Sequence, residues 1–294
     1  MRQADQAMYV AKQGGKNRYL LFDAAHDTAV QAGYESLKRI RRALELSEFV
    51  LYYQPQVNMK TGEVIGTEAL ICWQHPERGL MPPADFLPII ENHPIIVELG
   101  EWVIDTVLTQ MSEWLTAGLD IPVSVNIGCR QLQQADFVIH LSALLASHPD
   151  IQPCGLELEV LETSALADMA AVSAKVQACR DIGIHIALDD FGTGYSSLTY
   201  LKHLPIDMLK IDQSFVRDML VDPDDLAIVQ AVISLAKAFH CNVIAECVET
   251  IAHSTRLLSM GCELGQGYGI ARPMSAADLP DWVANWKQHA AWTV

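Results

Sequence analysis

Gly183-Ile184-His185-Ile186-Ala187-Leu188-Asp189-Asp190-Phe191-Gly192-Thr193-Gly194-Tyr195-Ser196-Ser197-Leu198 is the stretch from which the fold can be read. Its first half is a short, mostly apolar run bounded by a glycine, the pattern of a core strand. Two adjacent carboxylates close that strand. Neighbouring acids repel, so at least one of them needs a cation, a proton or a hydrogen-bond donor to stay there. Gly192 and Gly194 then free the backbone to turn, and Ser196-Ser197-Leu198 can cap a following helix. Acids closing a strand before a glycine-rich loop are one way to build a divalent-metal site at the carboxyl end of a parallel sheet. The plain alternative is a strand-to-helix turn whose acids are solvated.

Outward from this stretch, short apolar runs alternate with amphipathic segments of helical length from about residue 48 onward. That is the signature of repeated βα units. Strands are expected over 50–54, 64–71, 123–127, 156–161, 184–188, 208–211 and 242–245, with a further short one near 267–270. Helices are expected over 84–91, 96–117, 130–147, 166–181, 213–219, 224–240, 251–260 and 276–288. Seven or eight such units in one chain favour a closed α/β barrel over an open sheet.

Bulk composition narrows the function. The chain has 294 residues, 50% of them hydrophobic, ample for one large core. A net charge of −16 leaves no basic surface for a DNA or RNA backbone, so an anionic ligand must be held locally, by metal ions or a few placed donors. The seven cysteines are scattered without a CxxC pair, which argues for reduced thiols, a cytoplasmic setting and neither a disulfide framework nor a zinc ribbon. No signal peptide stands out, and the best apolar helix, near 227–239, is interrupted by Gln230 and Lys237 and too short for a bilayer. No membrane contact by this segment is expected.

A regularity then emerges. Most expected strands contain or end in a polar residue foreign to a core: Glu68, Asn126, Glu159 with Glu162, Asp189 with Asp190, Lys210 with Asp212, and Glu246. One such residue is ordinarily a satisfied core polar group. Six strands doing so together imply a convergent cluster at one rim, where barrel active sites lie. The candidate ligands are all oxygen donors, which suits Mg²⁺ or Mn²⁺, and Ca²⁺ could occupy the site without supporting a reaction. Five carboxylates and an amide exceed the needs of one Mg²⁺, so two ions sharing a bridging carboxylate are expected, able to grip a phosphodiester. Lys210 among these acids is either a fixed positive charge for the reacting water and phosphoryl group or a plain ion-pair partner.

Glu68-Ala69-Leu70 is accompanied along the chain by Tyr53-Gln54-Pro55, Val125-Asn126-Ile127, Leu156-Glu157-Leu158-Glu159 and the Asp189–Leu198 stretch. Leu209-Lys210-Ile211-Asp212, Ala245-Glu246 with Val248-Glu249-Thr250, and Gln266-Gly267-Tyr268 follow. In this order, over roughly 37–285, the motifs resemble the EAL family of cyclic di-GMP phosphodiesterases. The resemblance implies a modified (β/α)8 TIM-type barrel with an antiparallel first strand, opening cyclic di-GMP to linear 5′-pGpG in bacterial signalling. It implies that Glu68, Asn126, Glu159, Asp189 and Glu246 bind one metal and that Asp189 bridges to a second held by Asp190. Lys210 would contact the hydrolytic water, with Glu246 as general base and Glu68 completing the catalytic set. Gln54, Gln266, Asp212 and position 72 would face substrate. Glu162 and Glu249 would support from behind, Glu162 steadying the loop that holds Gly192, Thr193 and Gly194. The family also implies a homodimer.

A second resemblance lies at the head of the chain. Ala4-Asp5, Ala7-Met8-Tyr9, Ala11-Lys12 and Gly15-Lys16-Asn17-Arg18 are similar to the closing helix and turn of a GGDEF (diguanylate cyclase) domain. This implies a domain tail over 1–24, a linker over 25–36 and the EAL domain over 37–294. The chain then reads as part of a larger regulatory protein with upstream GGDEF-like and sensor domains, to which a membrane anchor could belong.

Three positions depart from the family pattern. Cys72 stands where an arginine normally contacts the ligand's phosphate, and a thiol offers neither its charge nor its fork of donors. Cys247 replaces a glycine beside Glu246, and its Cβ would crowd a tight backbone approach. Leu161 replaces a threonine, a milder change. None removes a metal ligand or Lys210, so an active phosphodiesterase is expected, with a cyclic di-GMP receptor that binds without turnover as the rival and a scaffold that binds no nucleotide as a third reading. The ten histidines lack ligand spacing, Trp102 and Trp114 sit at helical spacing as core residues, and Trp282, Trp286 and Trp292 are expected to anchor the last helix.

Overall fold

Val123, Val125 and Ile127 are buried apolar residues, while Ser124 and Asn126 alternate with them and hydrogen-bond to acids on neighbouring strands. This period of two puts the aliphatic face against the surrounding helices and turns the polar face into the barrel. The computed structural model describes residues 24–162, 169–193, 201–202 and 204–292. The GGDEF-like motif at the head of the chain, Gly194 and the capping Ser196-Ser197-Leu198 lie outside the described residues.

The strands are β1 (Phe49–Asn58), β2 (Val64–His75), β3 (Gly79–Met81), β4 (Val123–Ile127), β5 (Leu156–Leu161), β6 (His185–Phe191), β7 (Met208–Ile211), β8 (Asn242–Ala245), β9 (Leu264–Gly265) and β10 (Met274–Ser275). Strands β2, β4, β5, β6, β7, β8 and β9 pair in parallel in that order, and β1 closes the ring by antiparallel pairing to both β2 and β9. Eight strands therefore form a closed barrel with the expected antiparallel first strand, and β3 and β10 extend its margin.

The helices are α1 (Ala24–Glu45), α2 (Leu87–Ile90), α3 (Ile95–Thr116), α4 (Cys129–Gln133), α5 (Phe137–Ser147), α6 (Met169–Asp181), α7 (Gln213–Asp218), α8 (Pro223–Phe239), α9 (Ile251–Met260) and α10 (Leu279–Asn285). In α3, Leu99, Val103, Ile104, Val107, Leu108, Met111 and Trp114 are buried at the spacing of one helical face. Trp114 meets Tyr53 of β1 edge-on at 4.8 Å and donates its indole N–H to Ala276 O at 3.1 Å. Trp282 and Trp286 stack at 4.8 Å beneath the barrel wall. A smaller core joins Ile40 and Ala43 of α1 to Phe49, Trp73, Phe86 and Ile95. Residues 25–36, expected as a linker, belong to α1 and are helical.

Three elements differ from expectation, the first being the helix expected over 84–91, which is a 3-10 turn at Pro83–Asp85 followed by the short α2. One helix over 130–147 is in fact α4 and α5, because Leu132 and Phe137 are both buried and five helical residues would turn them about 140° apart. The last barrel strand is Leu264–Gly265, not 267–270. The backbone after it is committed elsewhere: Gln266 O accepts from Val248 N, and Gly269 N donates to Val248 O, both at 2.9 Å. All seven cysteines are free thiols. Among the described residues no helix is long and apolar enough to cross a membrane.

Candidate active site

Lys210 points into the barrel from β7, between the outward-facing Leu209 and Ile211, and is 1% exposed. An ammonium this buried persists only when anions surround it. Its Nζ lies 2.6 Å from Glu159 Oε2 on β5 and 2.8 Å from Glu246 Oε1 just past β8. Asp189 Oδ1 at the end of β6 is 3.4 Å away, and Glu68 Oε2 on β2 is 3.7 Å away. Four strands thus deliver carboxylates to one cation.

One positive charge cannot balance four negative ones in a buried space, and the acids divide the protons accordingly. Burial, then the charge of Glu68, raises Glu159 well above the usual carboxylate range against the pull of Lys210. Burial outweighs Lys210 at Glu246 too, and with Asp189 and Glu68 nearby pushes it up to about 8. Glu68 is the exception. Burial works to raise it, but Lys210 and donors from Gln266 and Asn126 overcome that and hold it below its ordinary value. The Lys210 ammonium is desolvated, yet Glu159 and Glu246 lead the acids that raise it well above the ordinary lysine range, so it stays charged.

Neutral amides form the other side. Gln266, just past β9, donates through Nε2 to Glu68 Oε2 at 2.6 Å and to Gln54 Oε1 at 3.0 Å, while its Oε1 accepts from Gln56 at 3.0 Å. Asn126 donates to Glu68 Oε1 at 2.6 Å. Gln54 continues to Ala271 O at 3.0 Å. Gln56 escaped the sequence reading, although it shares the inward face of β1 with Gln54 by strand alternation.

The Asp189-Asp190 pair is shaped by the backbone. Pairing between β6 and β7 shifts register between Leu188 and Phe191, and Asp190 adopts a left-handed φ of 55°. This irregularity lets both carboxylates reach the rim instead of alternating to opposite faces. Burial, Asp189 and a side-chain hydrogen bond with Asp212 push Asp190 up to about 7. Asp212 also caps α7, accepting from Ser214 N at 2.9 Å, a role the motif did not reveal. Glu162 is fully buried and accepts from Gly192 N at 2.8 Å, while Thr193 Oγ1 donates to Asp190 O at 2.9 Å.

Oxygen donors from Asp189, Asp190 and Glu246 can be chosen within 4.8 Å of one another. Glu159 Oε1 is buried without a hydrogen-bond partner. A crowded all-oxygen set with protons retained by burial and repulsion, and one orphaned oxygen, fits a small hard divalent cation. Glu68, Asp189, Asp190 and Glu246 line an open cleft of about 330 Å³, with Glu249 and Gln266 beside them.

The departures from the family pattern sit at defined places. Cys72 lies on the Glu68 face of β2, two alternations farther along, half-buried, and burial pushes its thiol up. Cys247 lines the cleft and donates its thiol to Glu249 Oε1 at 3.4 Å. Its φ is 53°, so a glycine suits this position through backbone conformation. The close backbone approach expected there belongs to Gly267 and Gly269 instead, where an added Cβ would stand 2.2 Å from Val248 N and 2.6 Å from the Glu249 carbonyl carbon.

Comparison with known proteins places this geometry. The family described as "EAL domain" matches residues 37–273. The bifunctional diguanylate cyclase/cyclic di-GMP phosphodiesterase MucR of Pseudomonas aeruginosa is 41% identical over 280 residues, which are 95% of this chain and 41% of that protein. The cyclic di-GMP phosphodiesterase PdeR of Escherichia coli is 37% identical over 290 residues, 99% of this chain and 44% of that one. The chain therefore spans about two fifths of the length of these curated relatives. Among solved structures, the PaMucR phosphodiesterase in complex with c-di-GMP is 41% identical with a TM-score of 0.80, covering 83% of this chain and 99% of that one. The EAL enzyme Bd1971 in its cAMP- and cyclic-di-GMP-bound form is 33% identical with a TM-score of 0.83, covering 96% of this chain and 74% of the other. With its closed barrel, its convergent acids and a match over most of its length, the chain belongs to the EAL-domain family.

Proposed function

We propose that this chain hydrolyses cyclic di-GMP to linear 5′-pGpG with two divalent ions, Mg²⁺ or Mn²⁺. The observation that carries the reading is the convergence of Glu68, Glu159, Asp189 and Glu246 on one buried lysine, inside the span that matches the family. Relatives named as cyclic di-GMP phosphodiesterases and a relative solved with c-di-GMP support the substrate.

Glu68, Asn126, Glu159, Asp189 and Glu246 would hold one ion, and Asp189 with Asp190 a second. When bound, such ions polarise a phosphodiester oxygen and make water a stronger nucleophile at neutral pH. The chain's own residues do the rest. Lys210 keeps a fixed positive charge at the floor of the cleft, where negative charge grows on the phosphoryl oxygens during in-line attack. Glu246, 2.8 Å from Lys210 Nζ and lining the cleft, would take a proton from the attacking water. Lys210, Gln266 and Asn126 keep Glu68 ionised, and Gln54 accepts from Gln266 and so orients it. Glu162 ties Gly192 and so steadies the Asp190 turn, with Glu249 at the cleft rim.

Purified protein incubated with cyclic di-GMP and Mn²⁺ is expected to yield pGpG by chromatography, and Ca²⁺ alone is expected to bind yet support no turnover. Binding without product would defeat the hydrolytic reading. It would favour the second one, a receptor, for which Cys72 speaks: its burial keeps the thiol neutral where the resemblance expects a cation.

The domain plan is part of the same proposal: residues 1–24 as the tail of an upstream GGDEF-like domain, α1 across 25–36 as the connection, and 37–294 as the phosphodiesterase acting as a homodimer in the cytoplasm. Support comes from the length of the relatives and from the bifunctional name of one of them.

A further inference from the structure

The geometry points to Gln56 as a positioning residue for the metal site: it fixes which way the Gln266 amide faces and, through that amide, holds Glu68 clear of Lys210 and open to an ion. This rests on the two-ion reading of the cleft and adds a residue set behind the cleft lining.

Gln54, Gln56, Glu68 and Gln266 are each 7% exposed or less, so their polar atoms must satisfy one another. The backbone sets the direction of the chain they form. Ala271 O can only accept, so Gln54 turns its Nε2 to it at 3.0 Å and leaves its own Oε1 for Gln266. Gln266 Nε2 meets that oxygen at 3.0 Å and donates also to Glu68 Oε2 at 2.6 Å. With both N–H groups engaged, Gln266 Oε1 needs a donor, and Gln56 Nε2 supplies it at 3.0 Å. A reversed Gln266 amide would set oxygen against Gln54 Oε1 and Glu68 Oε2, and nitrogen against the Gln56 amide nitrogen. Gln56 thus locks the orientation that serves Glu68.

Strand pairing puts Gln56 where it can do this. On β1 it lies opposite Gly66, where an added Cβ would stand 3.2 Å from Gln56 Oε1 and 3.3 Å from Pro122 O, so no β2 side chain competes for the space. Val57, next along β1, pairs with Gly265 of β9 and brings Gln266 within reach. Gln54, Glu68 and Gln266 line the cleft, whereas Gln56 is not part of that lining.

The consequence is visible at Lys210. Glu159 Oε2 and Glu246 Oε1 close on its Nζ at 2.6 and 2.8 Å, while Glu68 Oε2 stands off at 3.7 Å. Glu68 is held at both oxygens, by Asn126 on Oε1 and by Gln266 on Oε2, each at 2.6 Å. A carboxylate gripped at both ends does not collapse onto the ammonium. Groups that orient a metal ligand from behind commonly govern metal affinity by about 10- to 100-fold.

The test is calorimetric titration of the intact chain with Mn²⁺ in the absence of nucleotide, following the binding event that Glu68→Ala removes. Gln56→Met keeps the side-chain length and loses the donor, and is expected to raise the Kd of that event about tenfold. The Mn²⁺ concentration giving half-maximal pGpG formation should rise by the same factor, and excess Mn²⁺ should restore the rate. A residue acting through Gln266 must also be coupled to it: Gln266→Met should weaken Mn²⁺ binding more than Gln56→Met does, and combining the two should add little further. A native Kd in Gln56→Met, or two substitutions whose effects multiply in full, overturns the relay while leaving the two-ion reading intact. If Gln56→Met does not fold, Gln56→Asn, one methylene too short to reach Gln266, takes its place with the same expected Kd. Should the wild type make no pGpG, the calorimetric comparison still decides. No Mn²⁺ binding by the wild type would remove the two-ion reading and the relay together.

Discussion

The two sides of the barrel interior are built from opposite chemistries. On the β1–β9 side, Gln54, Gln56 and Gln266 form a neutral amide chain in which donors and acceptors are matched. On the β5–β8 side, Glu159, Asp189 and Glu246 crowd one lysine, and Glu159 Oε1 is buried without a hydrogen bond. Satisfied amides cost little when buried, whereas surplus carboxylates do not rest until a cation joins them. The amide side therefore positions, and the acidic side waits for charge. Glu68 stands between them, drawn toward Lys210 and paired with Gln266 and Asn126, which is why it is held below its ordinary pKa while Glu159 and Glu246 are raised.

The comparison can be broken most severely at its hinge. Glu68→Ala or Asp189→Asn should abolish pGpG formation and remove a binding event from Mn²⁺ calorimetry; a near-native rate would show that the acids do not hold the ions. Lys210→Met tests the acidic side alone. Leaving four carboxylates without their cation should destabilise the metal-free protein by about 3–5 kcal/mol in urea unfolding, and Mn²⁺ should restore more stability to this variant than to wild type. An unaltered midpoint would mean that the lysine is not balancing the cluster.

Smaller effects sharpen the contrast. Cys72→Arg should lower KM for cyclic di-GMP about tenfold by adding a charge-assisted contact; an unchanged KM would place that residue away from the phosphate. Least of all is a change below the site. Glu157 accepts from Ser124 at 2.8 Å, and burial raises its carboxyl above the ordinary value. An acid raised in the folded state keeps a proton that the unfolded chain releases, so stability falls as pH rises from the unfolded value through the folded one. Glu157→Gln should therefore gain on wild type in urea midpoint as pH rises above the ordinary carboxylate value, and parallel pH profiles would refute the assignment.

Much of this was legible in the chain itself. Short apolar runs announced the barrel strands β4 and β5, an amphipathic segment of helical length announced α3, and the acids at the strand ends announced a rim cluster. What escaped were features set by contacts distant in sequence. Gln56 matters because Gln266, 210 residues away, accepts its hydrogen bond. The end of the last barrel strand at Gly265 depends on Val248 claiming the hydrogen bonds of Gln266 and Gly269. The break between α4 and α5 reflects two side chains seeking one core.

By itself, then, the order of residues determined the barrel class and the kind of chemistry, because periodicity and side-chain type are local properties that survive any arrangement of neighbours. Only the tertiary structure decided who shares the proton and who keeps the charge. It brought one ammonium within 3.7 Å of four carboxylates, bent Asp190 into a left-handed turn and stood Tyr268 at the rim. Electrostatic balance in a buried space depends on distances between residues far apart in the chain, and those exist only after the ring of strands has closed.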